Sequence, residues 1–288
     1  MKIFILASFI FALQACAQEQ DSVSGENQTE NNTSAEHNSP IIDTGGMLLQ
    51  TRFNPPKGYE REKVDSKSFA HYLRNLPLKK AGDLVKYYDG GTKSDFAYEA
   101  VVDLEIGNRN LHQCADAVMR LKAEYLWETE QYNKIHFNFT NGFRVDYSEW
   151  MKGKRMVVKG NKTYWVNGSA RANNYQDFWK YMELIFNYAG TLSLDREMKS
   201  KSVDQMKIGD VFIVGGSPGH AIIVADMVVN HTTGKKKFML AQSYMPAQET
   251  QILSNTFDEN SPWYSLDFGD VLNTPEWTFY ANQLKGWE

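Results

Sequence analysis

Two cysteines in 288 residues, Cys16 and Cys114, set the first limit on how this chain can fold. The opening segment, MKIFILASFIFALQAC, has the parts of a secretory signal. Lys2 supplies a positive start, and Ile3 to Leu13 form an apolar run of the length that export requires. That run is too short to span a bilayer, which takes roughly 20 apolar residues. In Leu13-Gln14-Ala15-Cys16 a large aliphatic stands three positions before the cysteine and a small residue just before it. This is the pattern at which a lipoprotein signal is cut and the cysteine acylated, with palmitate as one of the chains. The alternative is an ordinary cleaved signal in which Cys16 is incidental, but the composition changes abruptly after Cys16, as it does after a processed signal. Cys114 is then the only thiol left to the folded part. No internal disulfide can form there, even in an oxidising envelope.

Residues 17–40 (AQEQDSVSGENQTENNTSAEHNSP) hold almost nothing that could be buried. Such a segment cannot offset its ordering entropy and is expected to be a disordered tether between lipid and domain. The expected organisation is therefore a signal peptide with lipobox over 1–16, a tether over 17–40 and one domain over 41–288. The address that follows is the cell envelope, with a lipid anchor in a bacterial membrane, the outer more than the inner. Acidic residues soon after Cys16 point to an outer surface, and Asp21-Ser22-Val23 resembles the short O-glycosylation motif of Bacteroidetes. Nothing after Cys16 reads as a second membrane span.

About 248 residues remain, enough for one sizeable core or a core with a subdomain. The net charge of −4, with no basic block, argues against nucleic acid as a partner. Aromatic residues make up 13% of the chain. Core packing accounts for them, with a glycan-lined cleft as the second reading.

Asp65 to Ser68 cap a short helix over FAHYLRNL that ends before Pro77. LVKYY (84–88) reads as a strand leading into Asp89-Gly90-Gly91, and AYEAVVDLEIG (97–107) fits strand or helix. CADAVMRLKAEYLW (114–127) is the clearest helix. KIHFNFT and GFRVDY flank Asn141-Gly142, a short hairpin signal. A second amphipathic helix covers 175–190. Strands are predicted at 210–214, 221–229 and 237–242, the last two joined by a hairpin-length loop, with an edge strand at 277–282. Helices first and an antiparallel meander after them predict an α+β fold.

Cys114 opens the strong helix. Unpaired backbone N–H groups and the helix dipole favour a thiolate there, and a thiolate is the nucleophile of a cysteine hydrolase. A small buried hydrophobe is the bland alternative. His220 follows Gly215-Gly216-Ser217-Pro218-Gly219 and opens a β-branched run, with Gly209-Asp210 turning into the strand upstream. The glycines precede no Gly-Lys-Ser/Thr, so they form no P-loop. His71, His136 and His231 lack partners at metal-ligand spacing, and one thiol does not make a zinc site. No metal and no cofactor is expected. Arg144, Asp146 and Tyr147 could line a substrate groove, although alternating polar residues are normal on a half-exposed strand.

This arrangement of Cys114, Gly-Asp before a strand and Gly-His opening the next resembles the NlpC/P60 and CHAP cysteine peptidases over Gln113 to about Leu126 and Gly209 to Gln242. The resemblance implies a papain-like core, with the cysteine-bearing helix packed on an antiparallel sheet. It implies Cys114 as nucleophile, His220 as base and then acid, and a third residue from strand 237–242. Gln242 is the choice, with Ser243 as understudy and Asp226, of the same strand parity as His220, as rival. His112, Gln113 and the Cys114 N–H are candidates for binding an oxyanion, or simply cap the helix. The chain departs from those peptidases in the longer Cys-to-His gap, which requires an insertion near 133–190, and in lacking the usual Asp before the cysteine and Ser-Gly after it. Over about 50–288, the segments PPKGYEREKV, NLHQCADAVMRLKAEYLW, GGSPGHAIIVADM and LAQSYMPAQETQIL resemble domain-of-unknown-function family 4846, found mainly in Bacteroidetes lipoproteins. Two functions are therefore expected. One is a cysteine amidase or peptidase of the envelope acting on peptidoglycan stem peptides. The other is a non-catalytic lipoprotein on a degenerate papain-like fold that binds glycan or peptide or serves structurally.

Overall fold

The apolar run that His220 opens becomes the central strand of the molecule, His220–Val229, and every residue of it but Val229 is buried. An unbroken apolar strand needs neighbours on both edges and cover on both faces, and it has them. The computed structural model describes residues 40–95, 97–168, 170–258 and 261–287, all within one compact unit. The signal segment with Cys16, and the tether up to residue 39, lie outside the described residues.

Seven strands make up the main path of the sheet: β1 (Tyr98–Val101), β2 (Lys199–Ser200), β3 (Val211–Val214), β4 (His220–Val229), β5 (Lys236–Gln242), β6 (Gln251–Leu253) and β7 (Leu284–Gly286). Their order in space is β1-β6-β5-β4-β3-β7-β2. Short pairings of Glu60–Arg61 with β4 and of Tyr264–Ser265 with β5 complete it. The pairings along the path are antiparallel. The main helices are α1 (Phe69–Arg74), α2 (Cys114–Glu128), α3 (Tyr175–Tyr188) and α4 (Thr191–Glu197). The fold is thus mixed α+β on an antiparallel sheet.

The two faces of the sheet carry separate cores. Val211, Ile213, Ala221, Ile223, Met239 and Ala241 point to the helical face, where Val118 and Leu121 of α2 and Phe178 and Ile185 of α3 meet them. Phe212, Ile222, Val224, Phe238 and Leu240 point the other way, towards Leu272 and Phe279 of a hairpin formed by Val271–Asn273 and Thr278–Tyr280. Each fully buried Val, Ile or Phe contributes about 1.5–3 kcal/mol relative to exposure, so cover on both faces holds β4 firmly in place.

Alternation along β4 breaks once. Met239 pairs with Asp226 and Leu240 with Val224, so Ala225 is an extra residue and the parity of the strand flips there. Beyond the bulge Val228 joins the helical face and Met227 the other.

Several expectations are corrected. Residues 84–88 form no regular strand, only isolated bridges of Lys86 with Thr92 and Tyr87 with Gln248. Thr278–Tyr280 pairs within its own hairpin rather than on the edge of the main sheet. The segment 175–190 is helical only to Tyr188, after which Gly190 starts α4. The segment between Cys114 and His220 holds the hairpin His136–Asn138/Arg144–Asp146 that Asn141-Gly142 signalled, and a second hairpin, Lys154–Lys159/Lys162–Asn167, that the periodicity did not reveal. Among the described residues no helix is long and apolar enough to cross a membrane.

Candidate functional site

The end of β5 and the start of β4 lie side by side, and this brings two of the sequence candidates together. The His220 Nε2 and the Gln242 Oε1 are 2.8 Å apart, with both residues only 1% exposed. The Gln242 amide is held at its other end, where Nε2 donates to Glu276 Oε2 at 2.5 Å. The same oxygen accepts from Lys93 Nζ at 2.6 Å and from Gln251 Nε2 at 3.2 Å. A carboxylate only accepts, so the amide must turn its nitrogen to Glu276 and its oxygen to His220. The imidazole then donates through Nε2–H, and its Nδ1 keeps a free lone pair. That is the tautomer of a base whose working nitrogen is Nδ1.

Aromatic rings close around the imidazole: Tyr244 at 4.8 Å, Trp277 at 5.2 Å and Phe279 at 5.8 Å between centroids. Burial pushes the His220 pKa down to about 4, and the Lys93 cation adds to the shift. The ring is therefore neutral at neutral pH.

Cys114 is the first residue of α2 and is 7% exposed. The backbone amides at Ala115, Ala221 and Cys114 itself favour its ionised form, but less than burial opposes it. The helix that Cys114 opens packs on β4, the strand that His220 opens. The expectation of a thiolate at the helix start is corrected: burial, and then the charge of Asp116, push the thiol up to about 11. Asp116 accepts from the Gln113 N–H at 3.0 Å through Oδ2, while its Oδ1 is buried without a hydrogen-bond partner. Burial raises this carboxyl to about 8. At neutral pH both the Cys114 thiol and the His220 imidazole are neutral.

The remaining candidates have other duties. The His112 Nδ1 lies 3.0 Å from the Gln248 carbonyl, and its ring meets Phe186 edge-on at 5.9 Å. Ser243 Oγ lies within hydrogen-bond distance of the carbonyls of His112 (2.9 Å) and Gln248 (2.7 Å), so it clasps two loops rather than serving His220. Gln113 Nε2 donates to Asn110 Oδ1. Asp226 is not brought to His220. The bulge at Ala225 turns it away, to a buried ion-pair cluster with Arg61 (2.8 Å) and Arg74 (2.7 Å). Among the described residues no three His, Cys, Asp or Glu side chains converge as metal ligands would.

The glycines before His220 have a steric task. A Cβ at Gly219 would lie 2.4 Å from the Gly216 carbonyl and 2.5 Å from Thr191 Oγ1 at the start of α4. The loop is thus packed flat on α4, and this sets where β4 begins. Sequence reasoning missed Glu276 and Lys93, the outer members of the His220 chain. Neither stands in a periodic segment, and their approach depends on loops 183 residues apart.

No curated protein and no solved structure matches the chain. The family model described as domain of unknown function (4846) matches residues 49–286, and the chain belongs to that family.

Proposed function

We propose that this chain is a cysteine amidase or peptidase on a papain-like core, carried to the bacterial envelope as a lipoprotein anchored through Cys16 and acting on peptidoglycan stem peptides. One observation carries the reading: the Glu276-fixed Gln242 amide holds His220 in the tautomer whose Nδ1 can accept a proton. In this mechanism Nδ1 takes the Cys114 proton as the sulfur attacks the amide carbonyl. The imidazolium then returns the proton to the leaving amine, and water hydrolyses the acyl-cysteine. The Cys114 N–H would face the oxyanion. The peptide substrate and the Bacteroidetes envelope setting rest on likeness to other cysteine peptidases and lipoproteins.

Cys114 is only 7% exposed. That burial, and the thiol held near 11, favour a second reading, in which the same fold is a non-catalytic glycan- or peptide-binding lipoprotein.

Incubation of purified protein with muropeptides, followed by mass spectrometry, separates the two. The catalytic reading expects new stem-peptide fragments from the wild type and none from Cys114→Ser or His220→Ala. Binding without cleavage, or equal cleavage by Cys114→Ser, sinks it.

A further inference from the structure

A cluster of positive charge on the helical side includes Lys122, a residue with no part in the chemistry proposed for Cys114. Lys122 is on α2, two turns beyond Cys114, and its ammonium sits over three rings: Phe69 at 4.6 Å, Trp287 at 5.4 Å and Tyr125 at 5.6 Å. Among the described residues it forms no ion pair. It borders a cavity of about 450 Å³ that Lys134, Arg144, Phe137 and Trp287 also line. Among the described residues the one carboxylate of that lining, Glu197, is already engaged by His136 at 3.5 Å and by the Asn138 N–H at 3.1 Å. Arg144 is paired with Asp146, and Lys134 with the Gln131 amide oxygen. Positive charge therefore exceeds negative in a concave, partly aromatic space. Burial, with Lys134 next, lowers the Lys122 pKa to about 8, as expected of a cation whose counter-ion is missing.

We infer that this cavity binds an organic monocarboxylate, its carboxylate against Lys122 and its apolar body against Phe137 and Trp287. Ring faces stabilise the ammonium while leaving its N–H donors unspent, and a carboxylate would take them in charge-assisted hydrogen bonds. A phosphate dianion fits less well, because it would lose hydration against the rings and gain no apolar burial. The site is independent of the chemistry proposed for Cys114.

Calorimetric titration of the purified protein with 3-phenylpropionate, 3-phenylpropanol and inorganic phosphate tests the inference. The acid should bind at one site, at least roughly tenfold tighter than the alcohol, the factor expected of one charge-assisted hydrogen bond. Lys122→Met should bring the acid down to the alcohol's level, and Lys122→Arg should retain it. Circular dichroism checks that the variants are folded, with Lys122→Gln as the substitute if the Met variant is not. Equal binding of acid and alcohol by the wild type overturns the inference, as does undiminished acid binding by folded Lys122→Met. Phosphate binding as tightly as the acid overturns the assigned ligand class.

Discussion

Glu276 does its work by geometry, since an acceptor-only group dictates how the Gln242 amide lies and so which nitrogen of His220 is free. Its removal has a second cost, because Lys93 is 2% exposed and would be left beside only the exposed Asp95 at 3.6 Å. Breaking a buried pair from one side costs about 3–5 kcal/mol. Glu276→Gln is expected to lose that much in urea denaturation, and the double variant Lys93→Met/Glu276→Gln to recover a large part. A loss below about 1 kcal/mol, typical of a surface bridge, would remove the pair from this role. Proton linkage gives a second residue-scale prediction. His220 and His112 titrate near 4 and 3 in the native state, both chiefly through burial, against an ordinary 6.5. Above pH 6.5 neither affects stability. As pH falls from 6.5 towards 4 the unfolded chain takes up protons that the native state refuses, and stability declines. Asp116 acts with opposite sign: held near 8 against an ordinary 3.8, it contributes fully only below pH 3.8, and that contribution is lost progressively as pH rises from 3.8 to about 8. Urea midpoints between pH 4 and 9 should show a shallower acid limb in His220→Gln and a flatter alkaline limb in Asp116→Asn. Limbs identical to wild type would contradict both assignments.

At the scale of elements, the turn into β4 depends on close backbone approach. Gly219→Ala puts a methyl carbon 2.4 Å from one backbone oxygen and 2.7 Å from another, that of Val214, and neither can rotate away. The expected loss is about 1–3 kcal/mol. Gly190→Ala, which meets nothing within 4 Å, should cost no more than about 1 kcal/mol as a weakened helix cap. Thermal melts of the two compare them directly, and an equal loss would show that loop packing on α4 is unimportant. The elements most legible in the sequence were those with strong periodicity or sharp punctuation. α2, α3, the Asn141-Gly142 hairpin and strands β3 to β5 all stand within a few residues of their predicted limits. Alternation and hairpin length alone set Gln242 on the face opposite His220, so only the strand that supplies the partner of His220 was legible. The bulge at Ala225 was not, since one extra residue leaves no mark in an apolar run, and with it went the parity argument for Asp226.

Across the whole molecule, the last strand is not a last addition. β7 lies between β3 and β2, and Leu284 is fully buried. Chain ends usually tolerate trimming because little depends on them. Here a stop after residue 283 would expose the edges of both neighbours and open the core, so the truncated protein is expected to show no cooperative thermal transition. A truncated chain melting within a few degrees of wild type would contradict this. The sequence by itself determined the α+β class, the lone folded thiol at a helix start and the histidine at the mouth of a strand, because these follow from local periodicity, turn chemistry and residue count. Only the tertiary structure decided the rest: that burial makes Cys114 a neutral thiol, that Glu276 and Lys93 stand behind Gln242, and that Lys122 forms no ion pair among the described residues. Each of these depends on how much water is excluded and on which distant loops meet, and no local pattern carries that information.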